Sequence, residues 1–275
     1  MTSWFQAERR KDKAPREKAY TFELTNTEGF CAQFNNYLYS YLTAREKDRT
    51  LYVYDKNNAI SSNFSLIDST FLCPSTVKIT DPSMLQFQKL NLDQTLPVTR
   101  SMPLSKIKAA ASSLFDIKPE MLTECNNFLE KYSLPGRFDI GVHLKSGQTQ
   151  TVNINSYVDS LKQFQKTNSI KEMSIFVMTD SYKLFESLKA KADVSWKLYT
   201  VDGPEQTGYN HNEFRQLPLK QRRDAYTKFL SELLVMRNIR AIICTLSSNV
   251  GRWLYVNIHD DSYLKSMDTQ SYAPI

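Results

Sequence analysis

Glycine is scarce in this 275-residue sequence, with seven in all: Gly29, Gly136, Gly141, Gly147, Gly203, Gly208 and Gly251. A loop that cradles phosphate through its backbone needs two or three glycines at fixed spacing, and no GxGxxG is present. Gly203 and Gly208 have a Walker-like separation, but Tyr209 and Asn210 follow where Lys and Ser/Thr would hold phosphate and magnesium. A P-loop ATPase or GTPase is excluded.

Cysteine and histidine are few and scattered. Cys31, Cys73, Cys125 and Cys244, with His143, His211 and His259, form no CxxC, HxxxH or HExxH pair, so no zinc ligand set exists and no metal is expected. One disulfide stays open on count alone, and we read the thiols as reduced. Cys244 ends the apolar run Ala241-Ile242-Ile243-Cys244 and reads as a small buried hydrophobe rather than a nucleophile. There is also no apolar run of about 18 residues and no charged-then-apolar leader, so no membrane anchor or secretory signal is read and a cytoplasmic location is expected.

What is present describes a globular protein. The chain is 41% hydrophobic and 23% charged. It is longer than the roughly 100–200 residues of one ordinary domain, which favours two. Half of the net charge of +6 sits at the start, where Arg9, Arg10, Lys11, Lys13, Arg16 and Lys18 face Glu8, Asp12 and Glu17. Residues 1–19 therefore read as a solvated basic arm.

Beyond the arm, residues 20–25 read as a strand and Gly29 opens a helix through 31–42. Strands follow at 51–54 and 77–79, helices at 105–114 and 119–132, and the Pro-rich stretch 81–103 reads as loop. The second half alternates more cleanly. Strands are predicted at 138–143, 173–178, 196–201 and 241–246, with helices at 154–165, 181–192, 217–236 and 249–257. Such order predicts an α/β fold with parallel sheets. A boundary at Leu134-Pro135-Gly136 divides residues 20–134 from residues 135–275.

Open parallel sheets bind ligands beyond the carboxyl ends of their strands, which directs attention to three segments. They are His143-Leu144-Lys145-Ser146-Gly147-Gln148, Thr179-Asp180-Ser181, and Thr245-Leu246-Ser247-Ser248-Asn249-Val250-Gly251-Arg252. Asp180, Ser181, Ser247 and Ser248 are equally suited to capping the helices that follow. The same helix starts, with Lys145 and Arg252 adding positive charge, would seat a diphosphate. His143 alone at a strand end is more often structural.

Taken together, these segments resemble the fucosyltransferase superfamily of α1,6-fucosyltransferases, nodulation fucosyltransferases and protein O-fucosyltransferases. Those enzymes carry a strand ending in GVHxRR or HLRxG, then TDD, then CTFSSxVxR. The counterparts here are Gly141 to Gly147, Thr179-Asp180-Ser181 and Cys244 to Arg252, the last being the most specific. Upstream, Gly29-Phe30-Cys31-Ala32-Gln33 is similar to the family's GxGxQL turn, so the resemblance spans residues 20–255.

The resemblance implies a GT-B architecture, two Rossmann-like domains facing across a cleft. The N-terminal domain would face the acceptor and the C-terminal one would hold GDP-fucose, with no cofactor or metal. It implies that His143 contacts the nucleotide, Lys145 the β-phosphate and Asp180 the nucleotide end, with Gly29 at the N-terminal turn. Ser247, Ser248 and Asn249 would meet the diphosphate, and Lys145 and Arg252 would act in catalysis by stabilising the charge on the departing diphosphate. Glu232, which composition alone would leave as a solvated helix residue, aligns with an acidic residue that holds guanine. An inverting transfer of fucose to a glycan or glycoprotein hydroxyl follows. The absent Golgi anchor fits a bacterial or virus-encoded enzyme, or a trimmed chain.

Departures accompany the matches. The family's key arginine is Lys145, a cation without the planar bidentate grip. Ser146 replaces a second arginine, Gln148 an acidic residue and Ser181 the second aspartate of TDD. No Asp or Glu lies between Lys145 and Tyr157 to serve as base. Another nucleotide sugar, or a degenerate member that only binds, are the competing readings. Nucleic-acid binding rests on a pI near 9.0 and the cluster Lys220, Arg222 and Arg223, better read as a solvated helix start, so no nucleic-acid partner is expected.

Overall fold

The computed structural model describes residues 19–24, 29–55, 77–79, 88–89, 95, 98–115, 117–146 and 153–268. The basic arm before Ala19, Cys73, Gly147, Gln148 and much of the stretch 81–97 lie outside the described residues.

Two parallel sheets organise the chain. The first contains β1 (Ala19–Leu24), β2 (Thr50–Asp55), β3 (Val77–Ile79) and β4 (Gln88–Lys89) in the order β3-β2-β1-β4. Helix α1 (Phe30–Glu46) connects β1 to β2. After β4 come α2 (Leu104–Leu114) and α3 (Pro119–Leu129), the latter with Pro119 in its first turn, where the missing N–H costs nothing.

The second sheet contains β5 (Ile140–Leu144), β6 (Met173–Thr179), β7 (Trp196–Tyr199), β8 (Ala241–Cys244) and β9 (Tyr263–Ser266) in the order β7-β6-β5-β8-β9, every pair parallel. Its helices are α4 (Ile154–Thr167), α5 (Tyr182–Lys189), α6 (His211–Gln216), α7 (Leu219–Arg237) and α8 (Asn249–Asn257). The strand order reverses between β1 and β4 in one sheet and between β5 and β8 in the other. These are the two topological switch points, where such sheets bind ligands.

Three elements depart from the sequence reading. β4 interrupts the stretch predicted as loop, β9 adds a parallel edge strand beside β8, and the short helix α6 stands before α7. The strand predicted to run to Val201 stops at Tyr199, because Thr200 and Asp202 bond to each other rather than to a neighbouring strand.

Alternation along the strands sorts the core. Val142, Ile175, Val177 and Ile243 pack one face of the second sheet against Tyr157, Leu161, Phe185 and Leu188 of α4 and α5. From the opposite face, Phe176, Met178, Ile242 and Cys244 belong to a larger cluster. It runs through Leu230, Leu233 and Met236 of α7 and Trp253 of α8 to Phe34 and Leu38 of α1, Leu114 of α2 and Val53 of β2. One apolar core therefore joins both sheets. Trp253 is fully buried, 4.6 Å from the Phe115 ring and 6.3 Å from Phe34 in edge-on contacts. Truncating such a residue costs about 3–5 kcal/mol.

Cys31, Cys125 and Cys244 are free thiols in buried positions. Burial raises the Cys244 pKa to about 12, with Asp268 adding to it, which leaves an inert thiol.

Candidate active site

The ends of β5 and β8 flank the switch point of the second sheet. On β5, Ile140, Val142 and Leu144 fill one face, so Gly141 and His143 point to the other, against α7. A Cβ at Gly141 would lie 2.7 Å from Met236 Sδ, a measure of how closely α7 approaches. His143 is 4% exposed and its Nδ1 has no hydrogen-bond partner. Burial, aided by the Lys145 cation, lowers its pKa to about 4, so the ring is neutral at pH 7. Lys145 is exposed, and among the described residues no carboxylate neutralises it.

Asp180, at the end of β6, accepts a hydrogen bond from the backbone N–H of Ser146 at 2.7 Å and so ties the ends of β5 and β6 together. The helix-capping reading of Asp180 and Ser181 does not hold. Ser181 occupies the cap position of α5 without a side-chain cap, and the Tyr182 amide instead donates to the Gln206 carbonyl at 2.8 Å. With the Ser181–Thr207 bridge, that bond stitches the loop 203–210 onto the end of β6.

The turn between β8 and α8 is held from three sides. Ser248, 2% exposed, caps α8 through Oγ, which accepts from the Val250 amide at 3.3 Å. Arg252, 6% exposed, donates from Nε to the Leu246 carbonyl at 2.8 Å, from Nη2 to the Ser247 carbonyl at 2.9 Å and from Nη1 to Asn249 Oδ1 at 3.3 Å. It braces the turn from within. Gly251 packs so tightly that a Cβ there would fall 2.0 Å from the Thr245 carbonyl oxygen.

Asp268, beyond β9, is a group the sequence reading missed. Its carboxylate accepts from the Leu246 amide at 2.9 Å, the Ser247 amide at 3.2 Å and the Ser266 hydroxyl at 2.8 Å. The amides of this turn were expected to face a diphosphate. Two of them face this carboxylate, while no side chain caps Asn249 or Gly251 among the described residues. Lying 22 and 21 positions beyond these two residues, Asp268 carries no local signal; only the parallel pairing of β9 with β8 brings it there.

Glu232 on α7 is not solvated. It is 4% exposed, one helical turn before Met236, and so stands toward the carboxyl edge on the side that His143 faces. Its Oε1 has no hydrogen-bond partner, and burial first, then the neighbouring Asp202 carboxylate, holds its pKa well above the ordinary value of 4.5. Lys228 pairs with Asp202 at 2.6 Å and opposes that shift.

From the first sheet, Gly29 precedes α1 in extended backbone (φ −70°, ψ 166°) and offers no side-chain cap. A Cβ there would lie 3.7 Å from Tyr209 of the loop 203–210, and a Cβ at Gly208 would lie 3.7 Å from Ser146 Oγ. Asn35 of α1 donates to the Asn249 carbonyl at 3.1 Å. The structure thus connects Gly29 to the Lys145–Ser146 strand end through one loop, and α1 to the β8–α8 turn through one hydrogen bond. The basic cluster on α7 is ion-paired, Lys220 with Asp224 at 3.1 Å and Arg223 with Glu124. No helix among the described residues is long and apolar enough to cross a membrane, and no cluster of three metal-ligating side chains occurs among them.

Solved structures share this fold. The chain is similar to NodZ alpha-1,6-fucosyltransferase soaked with GDP-fucose, with a TM-score of 0.54 and 12% identity over 88% of this chain and 92% of that one. It is similar to POFUT1 in complex with GDP, with a TM-score of 0.54 and 9% identity over 92% and 99%. For fucosyltransferase NodZ from Bradyrhizobium the values are 0.52, 11%, 88% and 93%. The chain therefore has a fucosyltransferase-like α/β fold; at these identities the likeness is one of fold. No protein-family model and no curated protein sequence matches it.

Proposed function

We propose that this protein is a glycosyltransferase that takes a sugar from a guanosine diphosphate donor, with fucose the first choice, and places it on a hydroxyl of a glycan or glycoprotein with inversion. The observation that carries the reading is that Lys145 and the Ser247–Arg252 turn follow the two strands, β5 and β8, between which the sheet order reverses, with the loop 203–210 and Asn35 tying them to Gly29 and α1. The structures with this fold that were solved with GDP or GDP-fucose add the donor class. In this reading the two sheets are the halves of a GT-B enzyme, and residues 135–275 hold the donor.

Each side chain then has a task. Lys145 meets the charge that builds on the departing diphosphate, the work the reading assigns to a protein cation rather than a metal. Arg252 acts through the turn it braces, positioning Ser247 and Asn249. Neutral His143 and buried Glu232 offer hydrogen bonds at the nucleotide end, and a protonated Glu232 is able to donate as well as accept.

One observation favours a second reading, a member of the fold that binds without turnover. The Asp268 carboxylate already fills two amides of the β8–α8 turn, and a lysine stands where the family has its arginine. Release of GDP from GDP-fucose, with and without a glycan acceptor, separates the two. Turnover that falls about a hundredfold or more in Lys145→Ala supports the transferase; GDP binding without release in any condition supports the binding module.

A further inference from the structure

Transfer to a hydroxyl leaves a proton to be removed, and the segment 145–157 holds no carboxylate to take it. The loop that bridges Gly29 and Ser146 carries a different pair. Tyr209 Oη lies 2.8 Å from His211 Nδ1, and Phe214 packs on both rings, 6.3 Å from His211 in a stacked arrangement and 6.0 Å from Tyr209. Asn210 fixes the turn between them, its Oδ1 accepting from the Asn212 amide at 3.0 Å and its Nδ2 donating to Glu213 Oε1 at 2.8 Å. Tyr209 is 52% exposed, so a substrate is able to reach it.

Its place is defined from both sheets. The Tyr209 ring stands against Gly29 at the start of α1, and the preceding Gly208, at φ +139°, stands against Ser146, the neighbour of Lys145. That φ favours glycine, and it lets the chain turn from the stitched segment at Gln206 and Thr207 toward the first sheet. The phenol is thereby held on the rim between the start of α1 and the residues that meet the diphosphate.

We propose that Tyr209 and His211 form the proton relay of this site: the attacking hydroxyl gives its proton to Tyr209 Oη as the phenol passes its own to His211 Nδ1. This rests on the glycosyltransferase reading above. As the acceptor oxygen forms its bond to the anomeric carbon, the bond from that carbon to the phosphate oxygen breaks and its electron pair leaves with the nucleoside diphosphate. The proton finishes on His211 as an imidazolium and returns to solvent. Tyr209 touches substrate, whereas His211 acts through it. The relay requires His211 in the form protonated at Nε2, so that Nδ1 accepts. Among the described residues, Cys31 from α1, a thiol that burial keeps protonated, faces Tyr209, and α6 itself carries Glu213, held by Asn210, and Arg215.

The test uses GDP-fucose with water as acceptor, following GDP release from pH 5 to 9, together with calorimetric GDP binding, for the full chain and for Tyr209→Phe and His211→Gln. Tyr209→Phe keeps the ring and its packing, so folding is not at issue. The relay predicts GDP affinity within about twofold of the parent and release slowed about a hundredfold in each variant. It also predicts that the acid limb of the parent's kcat/KM profile disappears in His211→Gln. Release within about threefold of the parent in either variant overturns the relay, as does a loss of rate matched by an equal loss of GDP affinity. A parent that binds GDP yet releases none from GDP-fucose, with water or with a glycan acceptor, overturns the relay and leaves the donor site standing; a parent that binds no GDP overturns both.

Discussion

Asn35 on α1 donates from its side-chain amide to the backbone carbonyl of Asn249, the first residue of α8, at 3.1 Å across 214 positions of sequence. It is 2% exposed, and it fixes the first sheet's helix to the turn proposed to hold the diphosphate. Asn35→Ala should lower stability by about 1 kcal/mol, measured by urea unfolding, and weaken GDP binding because the Asn249 turn loses its outer support. An unchanged midpoint with unchanged affinity would leave this contact without consequence.

Gly251 and Gly136 make a matched pair. A Cβ on Gly251 meets the Thr245 carbonyl oxygen at 2.0 Å and its carbon at 2.9 Å, both backbone atoms that cannot rotate aside, whereas one on Gly136 meets nothing within 4 Å. Gly251→Ala should cost about 1–3 kcal/mol and disturb the β8–α8 turn, while Gly136→Ala should be near neutral. Thermal unfolding of the two variants side by side reads the difference.

Asp268 places a negative charge on the same amides. Asp268→Asn retains one acceptor for one amide and removes the charge. We expect a small loss of stability together with a several-fold tighter GDP complex, as a repulsion of about 1 kcal/mol is relieved. Weaker GDP binding in this variant would make Asp268 a clamp on which the β8–α8 turn depends.

Glu232 gives stability a pH dependence of known sign. Its folded pKa is raised by burial and by Asp202. Above pH 4.5 the unfolded chain releases a proton that the folded chain retains, so stability falls as pH rises through the window between the two values. The slope approaches about 1.4 kcal/mol per pH unit. His143 slopes the other way: with a folded pKa near 4, its share of stability is present above pH 6.5 and lost as pH falls toward 4. Glu232→Gln should therefore gain on the parent from pH 5 to pH 8 in chemical denaturation. A difference constant with pH would mean that Glu232 is ionised in the folded protein.

Much of the second half was legible because its signals are local. The run Met173–Thr179 and the amphipathic α4 report their own burial, and α8 was predicted with the bounds it has, Asn249–Asn257. The parts that sequence missed depend on partners far along the chain. Tyr263–Ser266 has little apolar character and becomes a strand only because β8 offers it an edge. Glu232 looks solvated on a helix rich in charge, and its burial follows from the closeness that Gly141 permits to α7. Tyr209 entered the sequence reading only as a residue unfit for a Walker loop, and His211 only as one of three scattered histidines; their contact needs α6 and its Asn210 cap.

In the proposed function His143, Lys145 and the Ser247–Arg252 turn form a guanosine diphosphate site. Calorimetric titration with GDP, GDP-fucose, GDP-mannose and UDP in a chelator tests it most directly. Micromolar binding of the GDP compounds, about −8 kcal/mol, is expected, with UDP much weaker and the signal lost in His143→Ala. Binding of none of these nucleotides, or GDP binding that His143→Ala leaves intact, would contradict it.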